Sequence, residues 1–238
     1  THYAYIEQPE KMGGYKQRVF DHYPSIQPNI FGLSQGINNV YQHAGVPHKN
    51  LFLTPNGLDI DAYRFTDKPK YSERSICIGK IEDRKKQFFL QRINSLWFAG
   101  NIADNRFNQD KNYLGEIPKS EIKTNLTDYG NLVLISDGEV HPRVCTEALA
   151  AGLGIVISEC GIANLDLSKP FITVIPDSKI NDIKYIETQI IMNRDYSNSH
   201  RHDILEYARQ FDWDNILEKY YFPSINKIRS DYVPSITK

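Results

Sequence analysis

Two apolar runs of strand-like composition, Leu132-Val-Leu-Ile135 and Ile155-Val-Ile-Ser158, enclose a single short helical pattern. Between them come an acidic turn at Glu139, Pro142 near a first helical position, Glu147 about two turns in, the small apolar stretch Ala148 to Ala151, and Gly152. Strand, turn, helix, glycine stop and strand in that order make one βαβ unit, which commits its two strands to be parallel.

The same alternation runs through most of the chain. Early strands are expected at Tyr3 to Ile6, Ile30 to Leu33 and Leu51 to Leu53, with a helix from Gln35 to Ala44 closed by Gly45. After the Asn56-Gly57 turn, the polar stretch Asp67 to Glu73 holds Pro69 and reads as a linker between lobes. Strands then follow at Ser75 to Ile78, Leu96 to Ala99, Asn112 to Leu114, Leu132 to Ile135, Ile155 to Ile157 and Phe171 to Ile175. Helices at 84–93, 119–128, 142–152, 179–194 and 200–219 fill the intervals, with a polar loop from Tyr196 to His202. The expected fold class is therefore α/β, with a doubly wound parallel sheet of Rossmann type in one lobe and a partial second α/β lobe. Its expected domains are 1–66, 67–222 and a tail, 223–238.

At 238 residues with 40% hydrophobic content, the chain can bury a real core. Its 28 basic and 29 acidic residues nearly cancel. That leaves no broad positive field, so nucleic acid is not an expected partner. Cys77, Cys145 and Cys160 lie in or beside apolar runs without Cys-x-x-Cys spacing. They read as reduced thiols of a cytoplasmic protein, not as a disulfide frame or zinc site. No apolar run is long enough to span a membrane, and Gly-x-Gly-x-x-Gly follows no strand, which disfavours a dehydrogenase.

Backbone N–H groups at the start of the helix after Glu139 favour an anion. Glu147, deeper in that helix, is placed for the hydroxyls of a sugar attached to the anion. The pattern with its neighbours resembles the donor-binding lobe of retaining GT-B-fold glycosyltransferases, most closely the family-4 type. Four further landmarks occur in the family's order. They are Pro55-Asn56-Gly57-Leu58-Asp59 with Phe65, Ile78-Gly79-Lys80 with Lys85-Lys86, Tyr113-Leu114-Gly115-Glu116-Ile117, and Phe211-Asp-Trp213. The resemblance covers roughly Leu33 to Tyr221.

The resemblance implies retaining transfer of a sugar from a nucleotide-diphosphate donor to an acceptor hydroxyl on a glycan, lipid or protein. It implies no cofactor and no metal. Glu139 would be catalytic, orienting the transferred sugar. Gly79, Lys80, Lys85, Gly115, Val140, Arg143, Val144 and Glu147 would bind the donor, with the amides of Val140 to Val144 on the diphosphate and Glu147 on the ribose. Plainer roles stay open: Lys80 and Lys85 as a solvated helix start, Glu139 as a complement to a helix dipole, and Glu147 as the partner of a lysine. Where the family has Gly-Gly followed by an acid, this chain has Cys160-Gly161 and Asn164. Alternatives are a non-catalytic nucleotide-sugar-binding or regulatory lobe, or a nucleotide-sugar epimerase of the same architecture. The first lobe is short for the family, so either its front lies upstream in the native product or this member is short. The Phe211-Trp213 segment is expected inside the last helix with Trp213 largely buried.

Overall fold

The structure is a computed structural model that describes residues 21–232. The expected strand from Tyr3 to Ile6 lies outside them. The chain divides into two compact units, one of residues up to Gly57 together with those from Asp212 onward, the other Leu58–Phe211. In the first unit, strand β1 (Ile30–Gly32) pairs in parallel with β2 (Leu51–Leu53) across helix α1 (Gln35–His43). The Ser34 side chain caps α1 by accepting from the Ile37 N–H at 3.3 Å, and Gly45, at φ +91°, follows its end.

The second unit holds five parallel strands in the order β4-β3-β5-β6-β7. They are β3 (Tyr71–Ile78), β4 (Leu96–Ala99), β5 (Tyr129–Leu134), β6 (Gly154–Ser158) and β7 (Ile172–Ile175). Its helices are α2 (Gln87–Leu90), α3 (Lys119–Asn125), α4 (Arg143–Ala150), α5 (Ile183–Ser199) and α6 (Arg201–Ala208). β5 and β6 register Leu132 against Ile155 and Leu134 against Ile157. Those four side chains join Cys145, Ala148 and Leu149 of α4 on one face, while Val133, Ile135 and Val156 join Ile186 and Ile190 of α5 on the other. Both faces are covered, which is why these strands read as unbroken apolar runs.

Polar groups inside this unit are held by the backbone they replace. The Asn193 amide donates to Ile155 O, Phe171 O and Thr173 Oγ1 and accepts from Asn131 Nδ2 at 2.9 Å. Arg201 is 2% exposed and donates to the carbonyls of Thr66, Thr127, Tyr129 and Ala151. Burial lowers its pKa to about 10, against the opposing charges of Asp128 and Asp67. The unit's first and last residues meet, with the Leu58 N–H donating to Phe211 O at 2.8 Å.

Several sequence expectations shift. The division falls at Gly57/Leu58 instead of within Asp67 to Glu73, because Leu58, Ile60 and Tyr63 belong to the second unit's core and β3 already begins at Tyr71. The helix expected at 84–93 is a short turn, 83–85, then α2, interrupted where Lys86 takes a left-handed conformation at φ 52°. Asn112 to Leu114 makes a single bridge, Phe98 to Tyr113. Tyr196 to Ser199 continue α5, since Ser197 Oγ bonds back to Asn193 O at 2.6 Å and Asn198 Nδ2 reaches Ser72 O at 3.1 Å. Tertiary partners thus outweigh the weak helix preference of these residues.

The last expected helix, 200–219, is broken. α6 ends at Ala208, and Asp212 caps a new start, α7 (Trp213–Ile216), by accepting from the Asp214 N–H at 3.0 Å. α8 (Phe222–Tyr232) follows. Both belong to the first unit, so the residues from Asp212 leave the donor-type lobe that the sequence reading gave them. Trp213 is 40% exposed, not largely buried. Its indole lies against Gly57, where any Cβ would collide with it. Close approach, and not a left-handed turn, therefore explains that glycine.

Candidate functional site

The chain leaves β3 toward β4 on one side, then returns to the other side of β3 as β5. Loops leaving the carboxyl ends of β3 and β5 therefore diverge there, at the usual ligand position in such sheets. The sequence-expected residues group around it, though not all face it.

After β3, Gly79 has φ +145°, and a Cβ on it would lie 2.9 Å from Lys85 Nζ. The ammonium therefore rests over bare backbone at the strand end. Its charge also reaches the buried thiols Cys77 and Cys145, on β3 and α4. Burial pushes Cys77 up to about 12, with Lys85 opposing the shift. Gly100, which the sequence reading passed over, packs so closely on Gly79 that a Cβ there would collide with its carbonyl. The Gly100 N–H donates to Gly115 O at 2.9 Å, and the space beside Gly115 is open. Three successive chain ends are thus walled by glycine backbone. Lys80 does not join Lys85: its side chain is 57% exposed and turned to Glu82, with Nζ to Oε2 at 3.9 Å.

Arg84 is the second basic residue that the structure brings in. Its guanidinium donates to Ser136 Oγ at 2.9 Å, to Gly138 O, to Glu139 Oε1 at 3.1 Å and to Glu82 Oε1 at 2.8 Å. The two carboxylates raise its pKa against the opposing effect of burial. Lys86 Nζ meets Asp137 Oδ1 at 2.8 Å. From the far side, Ser158 Oγ donates to Ser136 O at 2.8 Å and Cys160 Sγ donates to the same carbonyl at 3.0 Å. Cys160, unexpected at a family glycine, thus ties the loop after β6 to the loop that carries Glu139. Burial raises its thiol pKa, which keeps it protonated for that bond.

Helix α4 starts at Arg143, with Pro142 as its N-cap and no side chain capping it. Val140 lies in the bend before the helix, so its amide is not part of the first turn. Proline at the cap and the bend at 140–141 account for that shift. The amides of Arg143 and Val144 are those the first turn leaves without intrahelical partners. Arg143 is exposed, and Glu147 is half-buried one turn further. No lysine or arginine lies within ion-pair reach of Glu147 among the described residues, which removes the buried lysine pair. The group facing it is Tyr63, whose buried hydroxyl lies near the Glu147 carboxylate without closing a well-formed hydrogen bond. Burial first, then the Glu147 charge, raises the Tyr63 pKa. His141 is buried in the bend, and burial lowers its pKa to about 4.

No known family's sequence pattern matches the chain, and no curated protein matches it in sequence. Solved structures do match it in three dimensions. HepE from Anabaena, in complex with UDP-glucose, aligns with a TM-score of 0.71 at 16% identity over 94% of this chain and 70% of that one. Its fold is that of the GT-B glycosyltransferases. Sucrose-phosphate synthase from Thermosynechococcus elongatus gives 0.68 at 15% identity, over 90% of this chain and 62% of that one. The pneumococcal O-GlcNAc transferase GtfA, in complex with UDP and GlcNAc, gives 0.62 at 15% identity, over 83% and 45%. At such identities the likeness carries the GT-B fold alone. No helix of the described residues is long and apolar enough to cross a membrane.

Proposed function

We propose that the Leu58–Phe211 unit binds the diphosphate of a nucleotide sugar, and that the protein transfers the sugar to an acceptor hydroxyl with retention and without a metal. The observation that carries this reading is Lys85, whose ammonium stands over the Gly79 backbone at the carboxyl end of β3. A positive charge at a strand end, in a unit that also offers an uncapped helix start, suits an anion better than any neutral ligand. HepE, the GT-B neighbour with UDP-glucose, holds a ligand of that class.

In this reading the leaving diphosphate gathers negative charge, which Lys85 and the amides of Arg143 and Val144 stabilise by fixed geometry. Glu139 orients the sugar, and Glu147, with no cationic partner among the described residues, accepts from the ribose hydroxyls. The leaving phosphate then takes the acceptor's proton on the face it departs from, which gives retention. Gly115 leaves room for the base against backbone. Lys80, turned to Glu82, contributes only if it swings from that weak, exposed pair.

Calorimetry with UDP, GDP and ADP, each alone and as its hexose conjugate, tests the reading. Glu147→Ala weakens the nucleotide and its sugar conjugate alike, by about 1.5–3 kcal/mol. Lys85→Ala weakens the diphosphate far more than the corresponding nucleoside. Wild-type protein that binds none of the six ligands sinks the proposal, and binding without sugar transfer to any hydroxyl would reduce it to a binding lobe.

A further inference from the structure

We propose that Arg84 is a positioning residue for Glu139, fixing the 136–139 loop in one geometry and cancelling the acid's charge where the diphosphate must lie. The inference rests on the reading just given, and assigns a role to a residue outside the family landmarks.

Glu139 poses an electrostatic problem for that reading. A carboxylate held near an incoming diphosphate repels it unless a cation sits beside the acid. Lys85 does not fill this place, since its ammonium rests over Gly79. Arg84 does. One guanidinium takes three acceptors of the same loop: a hydroxyl (Ser136), a carbonyl (Gly138) and the carboxylate of Glu139, whose side chain is only 16% exposed.

The backbone closes the arrangement in the reverse sense, with the Asp137 N–H donating to Arg84 O at 2.9 Å. The loop and the 83–85 turn are therefore joined by side chain and main chain in both directions. All three bonds leave one nitrogen, Nη1, whose two N–H groups are shared among them, while Nη2 takes Glu82. The rigid guanidinium plane fixes these directions, whereas a lysine ammonium has the donors but neither the plane nor a second edge for Glu82. Glu82, on the guanidinium's other edge, keeps Arg84 from turning outward. Charge neutralisation and loop geometry are thus separable: Arg84→Lys keeps the first and loses most of the second.

Two measurements on the full chain, with Arg84→Ala and Arg84→Lys, decide the matter. Arg84 is 42% exposed, so both variants should keep the wild-type melting profile. Without ligand, hydrogen exchange at the Asp137 and Glu139 amides should quicken about tenfold or more in Arg84→Ala and in Arg84→Lys. Unchanged exchange in both overturns the proposal, whatever the ligand results.

With UDP and UDP-glucose, or the nucleotide pair that calorimetry selects, Arg84→Ala should lose roughly ten- to a hundredfold in affinity for the sugar nucleotide. The free diphosphate should lose at least as much, since it carries the charge that an uncompensated Glu139 repels, and Arg84→Lys, which keeps the cation, should recover most of that loss. Unchanged affinity of Arg84→Ala for the free diphosphate would overturn the charge-cancelling role. Wild-type protein that binds neither ligand defeats the donor-site reading instead, and the exchange data still judge Arg84.

Discussion

Strands β5 and β6 of the Leu58–Phe211 unit are buried along their whole length, whereas β1 and β2 of the other unit span three residues each. In that smaller unit Phe31, Phe222 and Ile225 stay 41%, 50% and 43% exposed. Both units use parallel strands and helices, and among the described residues the larger one's sheet is covered on both faces. A doubly covered sheet holds its strand ends rigidly, and strand ends are where loops carrying function emerge. Gly79, Lys85, Glu139 and Glu147 are all of that unit.

The sharpest way to break this contrast is a pair of aromatic deletions two residues apart. Phe211→Ala removes a ring that is 3% exposed and packed edge-on to Tyr207, and should cost about 3–5 kcal/mol in denaturant melts. If it costs no more than Trp213→Ala, the two units are equally packed and the contrast fails.

Acid is the next largest lever. His141 is held neutral with a folded pKa of about 4 against an ordinary 6.5. Because the folded value is depressed, the unfolded chain takes up a proton first. Stability is therefore fully present above about pH 6.5 and is lost as pH falls toward 4, by roughly 3 kcal/mol in all. His141→Asn should flatten that part of the wild-type curve. Parallel curves for the two proteins would place His141 in a wetter setting and weaken the claim of a rigid site.

Trp213→Ala should have the smallest effect, about 1–2 kcal/mol, because much of the indole is already in water and what it rests on is Gly57 and the edge of Tyr221. A loss as large as that of Phe211→Ala would show the smaller unit packing the ring far more firmly than its exposure implies.

The sheet was legible because its strands carry unbroken apolar runs; Leu132 to Ile135 and Ile155 to Ile157 could hardly be anything else. The place of Gly79 at a strand end was legible because it stands just beyond such a run, and the place of Glu147 in a helix because the small apolar stretch Ala148 to Ala151 follows it. Arg84 was not, since its sequence neighbours Lys85 and Lys86 make it read as one of a solvated basic triplet. Only the fold brings Ser136 and Glu139 to its guanidinium. Gly100 escaped for a related reason: nothing local marks a glycine whose need is a neighbouring strand's carbonyl. Trp213 misled because spacing within a supposed helix cannot reveal that Asp212 ends one helical segment and begins another.

The Leu58 to Phe211 hydrogen bond gives the larger unit a property of its own. Its entrance and exit are a single point, so the rest of the chain is interrupted there as a sentence is by a parenthesis. Its ends are already together, so new termini inside it, or its transfer to another host loop, would ask little further entropy of closure. Such a unit can be exchanged as a cassette, carrying its strand-end loops intact while the flanking segments change around it.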